Sequence, residues 1–329
     1  MEIRILGKKF DLAEIIDDPI ELRYTECFRK AGELYMRVPF ERERYSNLAT
    51  GSRIMVEGLI FTVNKVRVSE NEIIVEARGL FDELRQIYLA TPEMLEEKTP
   101  VELIEELVGL ARFNGVNYTI QVNADKTGEA VKVYDWCASY YEIIASLFNS
   151  YGLGYRMVYD DTRDALQFRI CPLIDKVSES SAMVLLSQEK EDFELIRVVR
   201  DDTSYKNFIT VREWFEVNEI MYEKSYDHTA TENKRELAVS VITGARTEKE
   251  LYSAFDTVAR NLFNKHRRVN EYTILPLREL GIELGDVCRL ECPELDVSMG
   301  ALVSGREVYQ GQGGSYEHLI LEVDHWQIP

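Results

Sequence analysis

The sequence predicts a mainly β protein in which an α/β insertion lies between two small antiparallel β-barrel modules. Three observations support this fold class. Strand-like alternation of apolar and polar residues dominates both ends of the chain, helical periodicity replaces it in the middle, and the stretch GIELGDVCRLE (281–291) has the same shape as NLATGSRIMVEG (47–58). We therefore divide the 329 residues into modules 1–88, 89–183 and 184–329.

The first module, 1–88, begins with the strand pattern MEIRILG and continues with LRYTECFRKAGELYMRVP. In the second of these stretches Leu34, Met36 and Val38 alternate with polar neighbours, which predicts a half-buried strand, and Gly32 is predicted to lie at a bend. The segment GLFDELRQIYL, after the strand that ends at Ala77, predicts a short helix or turn that leaves the module.

The middle segment contains two amphipathic helices with capping signatures. In the first, Thr99 is the expected N-cap, Pro100 the first helical residue, Glu102 the partner in a capping box and Gly115 the stop. Its apolar face is expected to be Ile104, Leu107, Val108 and Ala111.

The second helix has Ser139 and Glu142 as its capping box and Gly152 at its end. The strands YRMVY and LQFRI follow it as a predicted hairpin. The tyrosines that cluster around this helix are interpreted as core or subunit contacts; they are Tyr140, Tyr141, Tyr151 and Tyr155.

The third module, 184–329, returns to strand patterns in FELIRVV, KNFITVREWFEV and ELAVSVIT. A helix is then predicted at about 247–266, with Thr247 and Glu250 as a third capping box. Its apolar stripe is Leu251, Phe255, Val258 and Leu262.

The two similar stretches form a predicted internal repeat of turn, strand, strand, tight turn and strand. Gly51-Ser52 and Gly285-Asp286 mark the turns that enter the first strand of each copy. Ile54 and Val56 mark the first copy's strand, whereas Val287 to Leu290 breaks strict alternation in the second. The tight turns are Glu70-Asn71 and the glycine-rich GQGGS. Spacing alone leaves open that any two antiparallel meanders look alike.

Composition excludes several classes of protein. The 39 basic and 58 acidic side chains give a net charge of −19, which opposes tight nucleic-acid binding, and the basic run KHRR (265–268) is interpreted as the cationic end of a helix. No apolar run approaches the roughly 18 residues that a membrane span needs. The N-terminus lacks a signal-peptide pattern, so synthesis and folding in a cytoplasm are expected.

The sequence contains no recognisable catalytic or metal-binding motif. The four histidines (His228, His266, His318 and His325) form no HExxH, HxH or HxxxH pattern, and GxSxG and P-loop motifs are absent. The five cysteines have no metal-like pairing and are expected to be reduced, mostly packed thiols. We therefore predict no catalytic residue, no cofactor and no metal, although a glycosidase carboxylate pair can be neither located nor excluded among 58 carboxylates.

Several motifs together resemble a known family. The stretches LRYTECFRKAGELYMRVP, NLATGSRIMVEGLIFTVNKVRV and IIVEARGLFDELRQ are similar to the N-terminal domain of the central baseplate hub proteins of bacteriophage tails, and DDTSYKNFITVR and GIELGDVCRLE are similar to that family's second barrel. The resemblance covers most of the chain. The positions that carry it are Tyr24, Thr25, Gly32, Glu33, Gly51, Gly79, Leu80, Tyr205, Asn207, Gly285 and Asp286.

The resemblance implies two tail-tube-like barrels per chain and a homotrimer, so that six near-equivalent modules would dock onto a sixfold tail tube. The implied partners are the tail tube protein, the central spike protein and surrounding baseplate proteins, and the implied location is the baseplate of a virion or phage-tail-like particle such as an R-type bacteriocin. The chain stops soon after its last strand, which favours a compact hub whose spike is a separate polypeptide. The acidic charge suggests a lumen that repels DNA.

Two alternatives from other classes remain. A tail-associated enzyme that degrades peptidoglycan, as an endopeptidase or lysozyme-like hydrolase, would need a catalytic constellation that the motifs do not reveal. A carbohydrate-binding β protein would place exposed aromatic residues in a cleft and would not need the repeat. Sixfold ring contacts would argue against the carbohydrate-binding protein.

Overall fold

A computed structural model describes most of the chain. The described residues are 1–7, 10–17, 19–88, 98–111, 113, 118–127, 130–131, 138–160, 162–163, 165–177, 184–215, 220–228 and 233–324. Within them the helices are α1 (Arg42–Asn47), α2 (Pro100–Ala111), α3 (Tyr140–Tyr151) and α4 (Glu248–Lys265), and short 3₁₀ segments occur at Leu80–Gln86 and Pro293–Leu295.

Strands account for most of the remaining structure. In the first third of the chain they are β1 (Ile3–Leu6), β2 (Leu12–Ile16), β3 (Glu21–Cys27), β4 (Glu33–Pro39), β5 (Arg53–Val56), β6 (Leu59–Ser69) and β7 (Glu72–Gly79). The middle contains β8 (Tyr118–Val122), β9 (Leu153–Asp160), β10 (Ala165–Pro172), β11 (Ile174–Asp175) and β12 (Leu185–Ser187). The last part contains β13 (Phe193–Asp201), β14 (Phe208–Phe215), β15 (Ile220–Asp227), β16 (Glu236–Ser240), β17 (Val269–Pro276), β18 (Asp286–Cys292), β19 (Val297–Gly311) and β20 (Gly314–Asp324).

One sheet of 14 strands runs through both predicted barrel modules. Its hydrogen-bonded order is β13-β17-β20-β19-β3-β4-β7-β6-β5-β1-β2, and β18 pairs with β19 on one side and with β11 and β12 on the other. Nearly all of these pairs are antiparallel, and only β11 and β12 run parallel to β18. The predicted mainly antiparallel fold is therefore confirmed.

The first barrel comprises β1 to β7, whose inward side chains form one apolar core. Alternate residues of β4 and β7 point inward, as the alternation of Leu34, Met36 and Val38 predicted. Gly32 lies in the bend between β3 and β4. The turn at Glu70-Asn71 joins β6 to β7, with both residues at positive φ of 52° and 64°, as a two-residue hairpin turn requires.

The second barrel comprises β12, β13 and β17 to β20 around a separate core. β18 alternates strictly, with Cys288, Leu290 and Cys292 buried and Val287 half-exposed. The expected break in alternation at Val287–Leu290 was wrong because the two cysteines, rather than Val287, supply the inward apolar side chains. The GQGGS stretch forms the tight turn between β19 and β20, with Gly311 paired to Gly314.

The α/β insertion packs α2 and α3 against the sheet β8-β10-β9. Both capping boxes are confirmed: Thr99 and Glu102 exchange hydrogen bonds, as do Ser139 and Glu142. Gly152 ends α3 in the left-handed conformation, and β9 and β10 form the predicted antiparallel hairpin.

Aromatic rings fill the core of the insertion. The Tyr155 ring stacks on Phe81 and on Phe168, at centroid distances of 4.3 and 5.4 Å. Tyr140 and Tyr141 are also buried, whereas Tyr151 is exposed. Leu80, Phe81 and Leu84 belong to this core, so the segment that follows β7 links the first barrel to the insertion.

The 184–329 segment contains two packing units rather than one. The sheet β15-β14-β16 packs its Ile209 and Val211 against Leu251 and Phe255 of α4, in a core separate from that of the second barrel. Thr247 caps α4 by accepting the Glu250 amide, and the Glu250 carboxylate accepts the Arg246 amide. We name residues 202–268 the appended unit, because they connect the end of β13 to the start of β17.

Some predicted features lie outside the described residues. These are the helix stop at Gly115, Cys137, and His325. Three of the four described cysteines are buried (Cys27, Cys288 and Cys292), and Cys171 is half-exposed.

Candidate assembly surface

The two predicted turns are structurally equivalent in detail. Gly51 and Gly285 both lie at positive φ, 88° and 91°. The Gly51 amide donates to the Val63 carbonyl, and the Gly285 amide donates to the Val303 carbonyl, at 2.8 and 3.0 Å. In each copy the strand register shifts just after that valine. A shared glycine turn, a shared hydrogen bond and a shared bulge identify the two stretches as one repeated structure.

The repeat extends further than its sequence signature. The first copy consists of β3, β4, β5, β6 and β7, and the second of β13, β17, β18, β19 and β20, in the same chain order and the same sheet order. The registers also match: Tyr24 pairs with Leu34 and Leu34 with Ala77, as Val198 pairs with Tyr272 and Tyr272 with Leu321. The structure therefore contains a five-stranded unit twice.

The two units join edge to edge within the chain. The first half of β19 pairs with β18, and its second half, from Gly305, pairs antiparallel with β3 over seven residue pairs. Val308 lies opposite Tyr24, and both side chains pack on the first barrel's core. We call this β19–β3 contact the internal joint. It makes one continuous sheet from two barrels.

Phe28 lies where both barrels and the insertion meet. Its amide donates to the Ser304 carbonyl and its carbonyl accepts from the Tyr155 amide, at 2.9 and 2.8 Å. Its buried ring occupies the space beside Gly154 and Gly285, where an added Cβ would lie 2.3 and 2.6 Å from ring carbons. Glycine is therefore required at position 285 for two reasons, the positive φ and the close approach of the Phe28 ring.

A charge cluster lies beside the internal joint. The Arg306 guanidinium is 3.5 Å from Glu26, 3.4 Å from Glu57 and 3.6 Å from Glu317. The Tyr24 hydroxyl donates to Glu57 at 2.8 Å. Burial raises the pKa of Glu26, and the Arg306 charge opposes that rise. Arg306 therefore compensates three carboxylates that the joint brings together.

Asp286 fixes the turn of the second barrel. Its buried carboxylate accepts from the Glu283 amide and from Lys176, each at 2.6 Å. Lys176 directly follows β11, so the ion pair ties β11 to the start of β18. By accepting the amide of a residue three positions earlier, the Asp286 carboxylate holds the turn that precedes β18.

Thr25, Gly32, Glu33 and Gly79 converge at the base of the first barrel. The Thr25 hydroxyl accepts from the Glu33 amide at 2.9 Å, and the Gly79 amide donates to the Gly32 carbonyl at 2.7 Å. A Cβ on Gly32 would lie 2.0 Å from the Thr25 carbonyl oxygen. Three strands approach so closely here that glycine is needed for steric reasons.

Tyr205 and Asn207 lie at the entry to the appended unit, not in the second barrel. The buried Asn207 side chain accepts from the Arg235 amide at 2.7 Å and donates to the Asn233 carbonyl at 3.2 Å. The Tyr205 ring is buried below Arg268, whose guanidinium carbon is 4.4 Å from the ring centroid. The interpretation of these two residues as part of the second barrel was wrong, because the chain leaves that barrel at the end of β13.

Neither a metal-binding cluster nor a membrane-spanning helix occurs among the described residues. Among these residues, no group of three or more histidine, cysteine, aspartate or glutamate side chains could hold a metal ion. No helix found there is long and apolar enough to cross a membrane. Of the three histidines described, His266 contacts the Ser204 carbonyl at the end of α4 and His318 stacks on Tyr316.

Comparison with solved structures gives the context for this fold. The tail protein from Neisseria meningitidis MC58 superposes with a TM-score of 0.59 at 12% identity, covering 98% of this chain and 96% of that one. The 43 kDa tail protein of prophage MuSo2 from Shewanella oneidensis gives 0.55 at 12% identity, covering 98% and 97%. The chain has a phage tail protein fold. A chain of the activated phage P2 baseplate also matches, with a TM-score of 0.51 at 10% identity over 100% of both chains.

The likeness to these proteins is in structure alone. No protein-family model matches the chain, and no curated protein matches it. The fold is thus shared at 10 to 12% identity with tail proteins whose lengths this chain spans almost fully.

Sequence reasoning missed Phe28, Arg306 and the internal joint. Phe28 had a usable signal, because a large aromatic residue follows a predicted strand and precedes a bend. The pairing of β19 with β3 had none, since alternation identifies a strand but not its partner.

Proposed function

We propose that this protein is the structural hub of a phage-tail or phage-tail-like baseplate, acting without catalysis. The repeated five-stranded unit supports this best. Two units per chain, joined edge to edge, would give six near-equivalent units in a homotrimer. Such a ring would have threefold symmetry by chain and near-sixfold symmetry by unit, and could join a sixfold tail tube to a threefold spike.

The fold comparisons support the same proposal. Solved chains with this fold are described as tail proteins and as part of a P2 baseplate, and the present chain spans 96 to 100% of their lengths. The proposed partners are a tail tube protein, a central spike protein and neighbouring baseplate proteins. The proposed location is the baseplate of an assembled particle.

The acidic lumen is a separate proposal. The outward face of the continuous sheet carries ion pairs of both signs, including Arg37 with Glu21 and Glu72, and Arg67 with Glu76. These pairs contain three carboxylates and two guanidinium groups. A lumen that repels DNA requires acidic side chains to outnumber basic ones on the face that lines the channel, as they do in the whole chain with its net charge of −19.

Light scattering tests the hub proposal. The purified protein would be measured alone and then mixed with tube and spike proteins of the same particle. A mass three times that of the 38.2 kDa chain, about 115 kDa, or the same stoichiometry in the mixture, supports the hub. A monomer that ignores both partners contradicts it. Cleavage of purified cell-wall fragments by that monomer would favour a peptidoglycan-degrading enzyme instead.

A further inference from the structure

Each repeated unit has two edges that can pair, and the internal joint uses one edge from each unit. It pairs the second half of β19 with β3. By the register of the repeat, β19 corresponds to β6 and β3 corresponds to β13. The equivalent edges in the other copy of the repeat take no part in the internal joint. They are the second half of β6 and the side of β13 that faces away from β17.

Both leftover edges are open in the part of the chain that the structure describes. No described strand pairs with Lys65–Ser69 on the side away from β7, or with β13 on the side away from β17. Hydrogen-bonded and non-hydrogen-bonded positions alternate along an antiparallel pair, so every second residue of each edge directs its amide and carbonyl outward. Open edges of this kind bind another strand.

Apolar side chains are exposed on these two edges. Val68 on β6 is 49% exposed, although it corresponds to Val308, which packs on the barrel core in the internal joint. On β13, Ile196 is 44% and Val199 is 37% exposed. Exposed β-branched residues on an unpaired edge favour strand addition rather than a solvent-facing surface.

We propose that β6 of one copy of this chain pairs antiparallel with β13 of a neighbouring copy, in the register of the internal joint. This inference rests on the proposed trimeric hub and names the contact that would close it. Gly305 lies opposite Cys27 and Val308 opposite Tyr24 in the internal joint. The corresponding pairs between copies are Lys65 with Asp201 and Val68 with Val198.

The chemistry of the corresponding pairs is favourable. Lys65 and Asp201 are both exposed and of opposite charge, and they lie on the outward face of their strands. Val68 and Val198 lie on the inward face, where Val198 already packs against the second barrel's core. Each contact is head-to-tail, so it propagates from copy to copy until a ring closes.

Charge reversal at one pair tests the register. Lys65→Glu and Asp201→Lys each place like charges opposite each other at three contacts per ring, so each is expected to raise the concentration for half-maximal trimer formation at least tenfold. Combining the two should restore that concentration to within threefold of the wild type. Both Lys65→Glu and the double variant lack the ion pair between Lys65 and Glu76. Recovery in the double variant would therefore show that loss of this ion pair does not cause the weaker assembly.

Val68→Asp tests the inward face, and is expected to abolish trimers at concentrations where the wild type is fully assembled. Matched controls are Lys249→Glu and Leu110→Asp, which alter exposed residues on α4 and α2 and should leave assembly unchanged. Circular dichroism and thermal melting would verify that every variant is folded.

The measured assembly of the wild type and the variants separates the strand pairing, its register and the hub proposal. A trimeric wild type whose Lys65, Asp201 and Val68 variants also remain trimeric would overturn the strand pairing and leave the hub proposal standing. Loss in the single variants without recovery in the double variant would overturn the register. A wild type that stays monomeric with the tube and spike proteins would overturn the hub proposal itself.

Discussion

The two five-stranded units share their strands but differ in their connections. In the first unit, five residues, 28–32, connect β3 to β4. In the second, residues 202–268 connect the corresponding strands β13 and β17 and contain a complete sheet and helix. The glycine turn, its hydrogen bond and the bulge are nevertheless the same. The lesson is that the pairing strands are the repeated element, while loops accept whole additional units.

The largest expected loss of stability comes from replacing Gly285, the turn glycine of the second unit. Gly285→Ala combines a left-handed backbone with contact against the Phe28 ring. We expect the free energy of unfolding to fall by about 4 kcal/mol, from positive-φ strain and overpacking together. Urea denaturation measures this.

A glycine without the second constraint is the control for Gly285. Gly281 also lies at positive φ, but nothing lies within 4 Å of an added Cβ. Gly281→Ala should cost only about 1 kcal/mol. Equal losses at the two positions would show that the Phe28 contact is not a constraint.

The next effect concerns the internal joint. Arg306→Gln leaves Glu26, Glu57 and Glu317 without their shared cation. Because the site is partly buried, we expect the free energy of unfolding to fall by about 2 kcal/mol. Arg289→Gln, which removes an exposed partner of Glu291, should change it by less than about 0.5 kcal/mol. A loss no larger than this control would mean that the joint does not depend on Arg306.

A smaller loss of stability, with no change in assembly, is expected from a substitution in the appended unit. Thr247→Ala removes the N-cap of α4 and should lower the free energy of unfolding by about 1 kcal/mol without changing the mass of the assembly. Thr257→Ala on the same helix is the control, since the Thr257 hydroxyl donates to the Ser253 carbonyl within the helix and does not cap it. A drop in assembly mass with Thr247→Ala would place the appended unit in the ring contact.

The smallest effect is a pH dependence at the joint. Burial raises the pKa of Glu26 above its ordinary value of 4.5, so the folded protein binds this proton more tightly than the unfolded chain. The contribution of Glu26 to stability is therefore present at low pH and lost as the pH rises above 4.5. The free energy of unfolding, measured by denaturation at successive pH values above 4.5, should therefore decline less for Glu26→Gln than for the wild type. Glu189→Gln, at an exposed turn, should leave the decline unchanged. Parallel declines in the wild type and Glu26→Gln would contradict this assignment.

Local features of this fold could be predicted from sequence, but most long-range ones could not. Capping boxes at Thr99 and Ser139 and the turn at Glu70-Asn71 have signals within a few residues. The two glycine turns could also be matched. The three strands that follow these turns were also matched, and they are β5 to β7 and β18 to β20. The two preceding strands of each unit were hidden because the appended unit separates β13 from β17, and because β3 and β13 share no distinctive residues. Among the motif positions that carry the resemblance, Gly32 lies at a close approach of strands and Asp286 holds a turn.

Electron microscopy of the assembled protein, viewed end-on, tests the central claim most directly. If the two five-stranded units are equivalent building blocks, averaged views should show a ring of six evenly spaced lobes with threefold symmetry. A ring of three lobes, or a particle with no central symmetry, would contradict the assembly of six near-equivalent units.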